Sequence, residues 1–306
     1  MNQHSLRYES HGSGVLLVDC GSFAIDETLE CGQFFQYRRI ETESPGTSKE
    51  YSLTAFSKVL RVRQDQNAAF FFPTDIQEFE TVWIPFFDLR RDYQSIKETL
   101  SENDLIMCAA VQCSPGIRIL KQDPWECLLS FILSQNNNIA RVKQMAQTIT
   151  QTFGQPLSDG WHSFPSPDQI GRLTLDALQK CKTGFRGKYI LDAAHKIASG
   201  DVDLSALADA PSSQARTILT SIQGVGPKIA DCALLFAYQK TDVFPTDVWI
   251  KRTMERRYFH DQKTSLDAIQ RLAQNQFGDL AGYAQQYLFA QARRQTSSQE
   301  HSPKIG

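Results

Sequence analysis

Apolar residues come in short blocks between residues 14 and 73, and from about residue 90 they recur at intervals of three and four. The segments GVLLVDC, QFFQYRRI, YSLTAFSKVLRVRQ and AAFFFP are rich in β-branched and aromatic residues. Polar turns such as ETESPGTSKE separate them, which predicts strands. After FFDLRRDYQ the texture changes. PWECLLSFILSQ and NIARVKQMAQTITQTFG place their apolar residues on one helical face. Asp123 before Pro124 reads as a helix start, with Asp123 as N-cap and the proline in the first turn. KYILDAAHKIASG closes on Gly200 as a C-cap, and SLDAIQRLAQNQFG and AGYAQQYLFAQARRQ complete the helical run. The expected fold class is α+β. A β-sheet domain over residues 1–95 precedes a helical domain over 96–295, and the polar TSSQEHSPKIG of 296–306 reads as a flexible tail.

The chain has 306 residues, 41% of them hydrophobic, which is enough for a substantial core. Its net charge of −2 announces no nucleic-acid binder, so any such role must rest on local clustering. No apolar run reaches the length of a membrane span, and MNQHSLRYESHGSG lacks a signal pattern; a soluble cytoplasmic protein is the expectation. Seven cysteines lie scattered among apolar residues and suit reduced thiols. Cys108 and Cys113 lack metal-ligand spacing, and no cysteine follows Cys232, so neither a zinc site nor an iron–sulfur cluster is expected.

One stretch, LTSIQGVGPKIADCALLFAYQKTDVFPTD over 219–247, breaks the helical texture. It reads as a helix, a tight turn and a second helix. Gly224 and Gly226, flanking Val225, permit positive φ and a close approach to the backbone, and Pro227 suits the first turn of the second helix. Exposed amides at such a helix start favour an anion, phosphate foremost; an ordinary αα turn is the plainer reading. Lys228 stands at the unfavourable end of the macrodipole, which suits an amine acting as nucleophile, although a solvated lysine is the commoner case. Asp247 follows Pro245 and Thr246 at another helix start, where a cap alone accounts for it equally well. Together they pair a potential nucleophile with a carboxylate able to stabilise positive charge on a sugar.

Hairpin, glycine/proline turn, lysine and downstream aspartate in this order resemble the helix–hairpin–helix DNA glycosylase superfamily. Within it, DPWECLLSFILSQNNNIARVKQMAQTITQTFG resembles the 8-oxoguanine DNA glycosylase family. CGQFF, TGFRGKYI, GVGPKIADC, FPTDVW and AGYAQQYLF extend the similarity from about residue 30 to residue 290. The resemblance implies a TBP-like antiparallel sheet domain, then a helical glycosylase domain with its hairpin at 219–236. It implies a monomeric enzyme of a bacterial nucleoid that excises 8-oxoguanine from double-stranded DNA, preferentially opposite cytosine. It also implies a lysine Schiff base and AP-lyase cleavage, without metal or organic cofactor. A non-catalytic hairpin module would not need both Lys228 and Asp247. Relatives acting on alkylated bases typically lack the lysine.

The same resemblance implies roles for single residues. Lys228 is the nucleophile and Asp247 the stabilising carboxylate. Gly32 offers its carbonyl to the N7–H of the lesion, Cys232 and Phe289 sandwich the base, and Gln285 pairs with its Watson–Crick edge. Asn136 fills the gap left in the duplex, Arg141 and Arg186 read the orphaned cytosine, and Phe185 is a wedge. Gly224, Val225, Gly226 and Trp249 contact the DNA backbone. Each also has a plain reading: Cys232 and Phe289 as core, Gln285 and the arginines as solvated residues, Gly32 as a bulge or turn. Trp249 stands where some members have a histidine, and Gln223 where proline is usual.

Overall fold

The computed structural model describes residues 6–41 and 48–300. Among them, six strands form one antiparallel sheet: β1 (Tyr8–His11), β2 (Gly14–Leu17), β3 (Tyr37–Ile40), β4 (Lys49–Ala55), β5 (Lys58–Gln64) and β6 (Ala69–Phe72). Their order is β1-β2-β6-β5-β4-β3. β1 was not expected: YESH is polar, and as an edge strand paired only with β2 it has no alternation to read. β4 and β5 are one hairpin that turns at Phe56 and Ser57, both with positive φ (53° and 58°), which matches the strand twist. Residues 33–36, expected as the start of a strand, lie outside the sheet, which resumes at Tyr37; a short helix, Ile25–Glu30, precedes them.

One face of the sheet packs its apolar residues, among them Leu17, Leu53 and Phe71, on Phe79, Trp83, Phe86 and Phe87. The other face of β4 is covered by a loop from the helical part of the chain. There Trp161 Nε1 donates to Ser52 Oγ at 2.8 Å, Arg38 lies 3.9 Å over the indole, and Arg61 Nε meets Asp159 Oδ2 at 2.8 Å.

The helical part is built around two helices that are buried along most of their length, Pro124–Ser134 and Pro227–Tyr238. A helix buried to that extent is central to the fold. The two pack together, with Phe131 and Phe236 stacked at 5.4 Å. Asp123 caps the first helix, accepting from the Trp125 and Glu126 amides at 2.9 and 3.0 Å. Around them lie Tyr93–Ser101, Leu105–Cys113, Ile139–Phe153, Arg186–Ala198, Ser212–Thr220, Val248–Arg257, Leu266–Phe277 and Ala281–Glu300, with short helices at Pro167–Gly171 and Leu175–Lys180. The last helix continues through Glu300, into the stretch expected as a tail; residues 301–306 lie outside the described residues. Among the described residues no helix is long and apolar enough to cross a membrane.

The two cores change over mainly between Leu89 and Tyr93, with Cys31 and Phe35 in the helical core and Leu120 in the sheet core, and they are tied together by one buried side chain. Gln33 is 0% exposed. Its Nε2 donates to the Thr28 and Arg118 carbonyls at 2.9 and 2.7 Å, and its Oε1 accepts from the Leu120 amide at 2.9 Å. Its own carbonyl accepts from Gln122 Nε2 at 2.7 Å, and the Gln122 amide donates to Phe236 at the end of the central Pro227–Tyr238 helix at 2.8 Å. This accounts for the irregular backbone at 33–36, where the side chain takes the role of a strand partner.

Gln33→Leu leaves the Leu120 amide and the Arg118 carbonyl buried without partners, and the Thr28 carbonyl with only the Cys31 thiol. At about 1–3 kcal/mol for each orphaned group, a loss of about 2 kcal/mol or more is expected in urea denaturation. A midpoint equal to the parent's would show that the junction does not depend on this carboxamide.

Candidate active site

The hairpin consists of Ser212–Thr220, a turn, and Pro227–Tyr238, so its first helix begins seven residues before the 219 expected. Gly224 has φ +78° and lies against the Tyr189 ring, so a Cβ there would collide with the ring. Val225 is buried and its amide donates to the Ile222 carbonyl at 3.1 Å. The amides of Gly224 and Gly226 have no partner among the described residues, which leaves them available to an anion. The Gln223 amide donates to Asp192 Oδ2 at 2.7 Å, a bond that proline at this position could not make.

Lys228, in the first turn of the second hairpin helix, is half-buried, with its Nζ 5.2 Å from the centroid of Phe131. Asp247 caps Val248–Arg257 and accepts from the Ile250 amide at 2.8 Å. The turn before it is fixed by Gln270, whose Nε2 donates to the Phe244 carbonyl and to Thr246 Oγ1 at 2.8 and 3.0 Å. Lys228 and Asp247 line one cleft of about 930 Å³, together with Asn136, Gly226 and Trp249. An amine and a carboxylate, each at a helix start, therefore face the same space.

None of the expected base-binding residues lines this cleft, and of them Cys232 is the one tied to it through Lys228. Cys232 lies one turn after Lys228 and is 3% exposed; burial pushes its thiol up to about 11, with Lys228 pulling the other way and Asp231 and Asp247 adding to the rise. Gly32 has φ +85°, and a Cβ there would come within 3.0 Å of the Phe289 ring and 3.1 Å of Ile139. Gln285 sits one turn before Phe289 on the same helix. It is buried, and its Oε1 has no hydrogen-bond partner among the described residues. A buried acceptor in that state is costly unless a ligand completes it.

The three consecutive asparagines divide the work of one turn. Asn137 Nδ2 donates to the Leu133 carbonyl at 3.1 Å, closing the Pro124–Ser134 helix. Asn138 caps Ile139–Phe153 by accepting from the Arg141 amide at 2.9 Å. Asn136 is left exposed between them, in the left-handed region at φ 47°, which asparagine tolerates.

Arg186 holds that turn from below. Its Nε donates to the Gln135 carbonyl at 2.8 Å, and its Nη2 to the Asn136 carbonyl at 3.0 Å and again to Gln135. Its Nη1 reaches Thr183 at 3.4 Å, and the guanidinium lies 4.5 Å over the Phe185 ring. Burial, and then the charge of Arg141, lower its pKa from the ordinary value. The expectation of two free arginines facing a base is therefore modified: Arg141 is exposed, whereas Arg186 is 7% exposed and engaged with backbone. Phe185 is 47% exposed beside it.

Among the lining residues not singled out in the sequence, three form defined polar contacts. Gln270 supports the Asp247 turn, and Arg216 pairs with Asp231, Nε to Oδ1 at 2.5 Å, on the cleft wall. The only sequence signal for the pair was a carboxylate within the apolar run IADCALLFA.

Comparisons with known proteins point one way. The family model for the 8-oxoguanine DNA glycosylase N-terminal domain matches residues 15–128, and that for the HhH-GPD superfamily base excision DNA repair protein matches residues 129–277. The chain is similar to MBOgg1, solved in complex with a low-affinity DNA ligand: TM-score 0.90 and 38% identity, covering 96% of this chain and 100% of that one. It is also similar to the Clostridium acetobutylicum 8-oxoguanine glycosylase/lyase, solved with double-stranded DNA containing cytosine opposite 8-oxoG. Here the TM-score is 0.88 and the identity 34%, covering 97% and 100%. A probable N-glycosylase/DNA lyase of Methanothermobacter thermautotrophicus is 32% identical over 235 residues, 68% of this chain and 73% of that protein.

The two hairpin glycines should separate on substitution. Gly224→Ala forces a side chain into the left-handed region and into Tyr189, and is expected to cost about 1–3 kcal/mol in thermal denaturation. Gly226 has φ −91° and open space around it, so Gly226→Ala should stay within about 1 kcal/mol of the parent. Equal losses at the two positions would count against the Tyr189 contact.

Proposed function

Because the chain belongs to the 8-oxoguanine DNA glycosylase family of base-excision repair proteins, we propose that it flips 8-oxoguanine out of duplex DNA and excises it through a Schiff base on Lys228. It is a bifunctional DNA N-glycosylase and AP lyase. The observation that carries the mechanistic reading is the convergence of Lys228 and Asp247 on one cleft.

The glycosidic bond of a stacked base is out of reach, so the nucleotide must rotate out of the helix, at a cost of about a few kcal/mol in stacking and pairing. Asn136, exposed at the tip of its turn, fills the vacated space, with Phe185 wedging beside it. The base enters between the Cys232 sulfur and the Phe289 ring. Gln285 meets its Watson–Crick edge and the Gly32 carbonyl accepts the N7–H that 8-oxoguanine has and guanine lacks. The orphaned Gln285 Oε1 supports this reading, because a base edge supplies the missing donor.

The Lys228 amine attacks C1′. The C1′–N9 bond breaks with its electron pair on the departing base, which takes up a proton, while Asp247 stabilises positive charge on the sugar. The amine then loses its protons as the sugar ring opens to the imine. Loss of a C2′ proton to solvent expels the 3′ phosphate by β-elimination. The free amides of Gly224 and Gly226 hold a backbone phosphate, with Trp249 against the strand. The enzyme acts as a monomer, since one chain supplies every group invoked.

Arg141 and Arg186 read the acceptor edge of the cytosine left behind. Arg186 has to share its nitrogens with the carbonyls of Gln135 and Asn136, so Arg141 carries more of the discrimination.

Two measurements test this reading. Borohydride should trap the wild-type protein covalently on a duplex containing 8-oxoguanine, whereas Lys228→Gln should bind that duplex and neither become trapped nor excise the base. Excision by Lys228→Gln would remove the nucleophile assignment. Single-turnover excision should favour cytosine over adenine opposite the lesion. Arg141→Ala should narrow that preference by about tenfold to a hundredfold, from roughly 1–3 kcal/mol per arginine–base contact. Equal wild-type rates opposite the two bases would refute the arginine readout and leave the glycosylase standing.

A further inference from the structure

An ion pair that takes no part in the excision chemistry joins the two hairpin helices at the cleft wall. Arg216, on Ser212–Thr220, pairs through Nε with Asp231, three residues beyond Lys228 on the second helix. Asp231 is 2% exposed; burial raises its pKa while Arg216 opposes the rise, so the carboxylate depends on this cation. The Arg216 side chain is 33% exposed and lines the cleft with Lys228 and Asp247. Its Nη1 and Nη2 have no hydrogen-bond partner among the described residues. A bidentate brace would engage two guanidinium nitrogens with the carboxylate. Here the bond runs through Nε, and the fork is left over.

The cleft needs such a group. Asp247 and Asp267 line it and would repel a phosphate. Lys228 cannot compensate, because an amine that attacks C1′ must be free of its proton at that moment. Lys251 also lines the cleft but lies 3.8 Å from Glu255. Arg216 is the remaining cation among the lining residues, and Asp231 fixes its direction.

We propose that Arg216 is a phosphate site of the cleft: its Nη1–Nη2 fork, oriented by Asp231, grips one backbone phosphate of the lesion strand beside the nucleotide that Lys228 attacks. The inference rests on the glycosylase reading and adds a contact to it. Asp231 is the positioning residue, and it acts only through Arg216.

The test is equilibrium binding to a duplex carrying a tetrahydrofuran abasic analogue, with methylphosphonate placed singly at each phosphate flanking the analogue. Wild type should lose about tenfold in affinity at one of these positions. Arg216→Met should bind the unmodified duplex about tenfold more weakly, with a salt slope shallower by about one, and should lose nothing further at that same methylphosphonate. Asp231→Asn should show part of the loss. If it fails to fold, Arg216→Lys replaces it: it keeps a charge for Asp231 but lacks the fork, and should lose the same unit of salt slope. Thermal melting establishes that each variant is folded. The proposal is overturned if Arg216→Met binds as wild type does, or if its loss adds equally at every methylphosphonate; either result leaves Arg216 as a brace only. Wild-type protein that neither binds the duplex nor excises 8-oxoguanine would instead overturn the glycosylase reading, so the two failures are distinguishable.

Discussion

The Gln33 carboxamide is the constraint on which the arrangement of the site depends. It is completely buried, and its bonds run from the Thr28 turn to the 118–122 segment that leads into the central helices. Gly32 precedes it directly. Any play at this junction would move Gly32 relative to Phe289 and Ile139, which lie so near that a Cβ at this position would come within 3.0 and 3.1 Å of them. Interiors are packed too densely to absorb such a shift gradually. In the proposed base-binding arrangement, the sheet contributes less through its surface than through this one turn, held close to the last helix.

The helical side follows a second rule: each buried charge or strained residue near the cleft has a dedicated partner. Asp231 has Arg216, Arg186 has the carbonyls beneath the asparagine turn, and Asp247 has the first amide turn of its helix. Asn136 holds a left-handed backbone that Arg186 braces from below. Among the groups left without partners, the hairpin amides and the Arg216 fork lie at the cleft, and the Gln285 oxygen is buried behind it. Such a site is rigid where it must position and incomplete where a ligand has to arrive, which limits the reorganisation required at the moment of reaction.

What could be read from the chain depended on the range of the interactions. The helix start at Asp123 and the turn between the hairpin helices depend on neighbours within a few residues, and the local letters specified both. Asp247 reads as a cap and is one, yet it also faces the cleft; nothing in FPTDVW distinguishes the two. The irregular backbone at 33–36 could not be anticipated, because Gln33 also bonds Arg118, Leu120 and Gln122, 85 and more residues away. β1 has no alternation, since an edge strand of polar residues has little to bury. Arg186 and Arg216 look like any solvated arginine in sequence. Only the fold shows that one is engaged with backbone carbonyls and the other half-occupied by a buried carboxylate.

The raised pKa of Cys232 bears on the conditions in which this family works. Burial raises the Cys232 pKa, which disfavours its thiolate at neutral pH. Peroxide and related oxidants react with thiolates, and reach them best when they are exposed. Oxidised guanine accumulates when such species are abundant, so the demand for repair peaks when a reactive sulfur would be lost to sulfenic acid. Held protonated and 3% exposed, the Cys232 sulfur is chemically quiet. Burial and a raised pKa thus both work against oxidation of this sulfur.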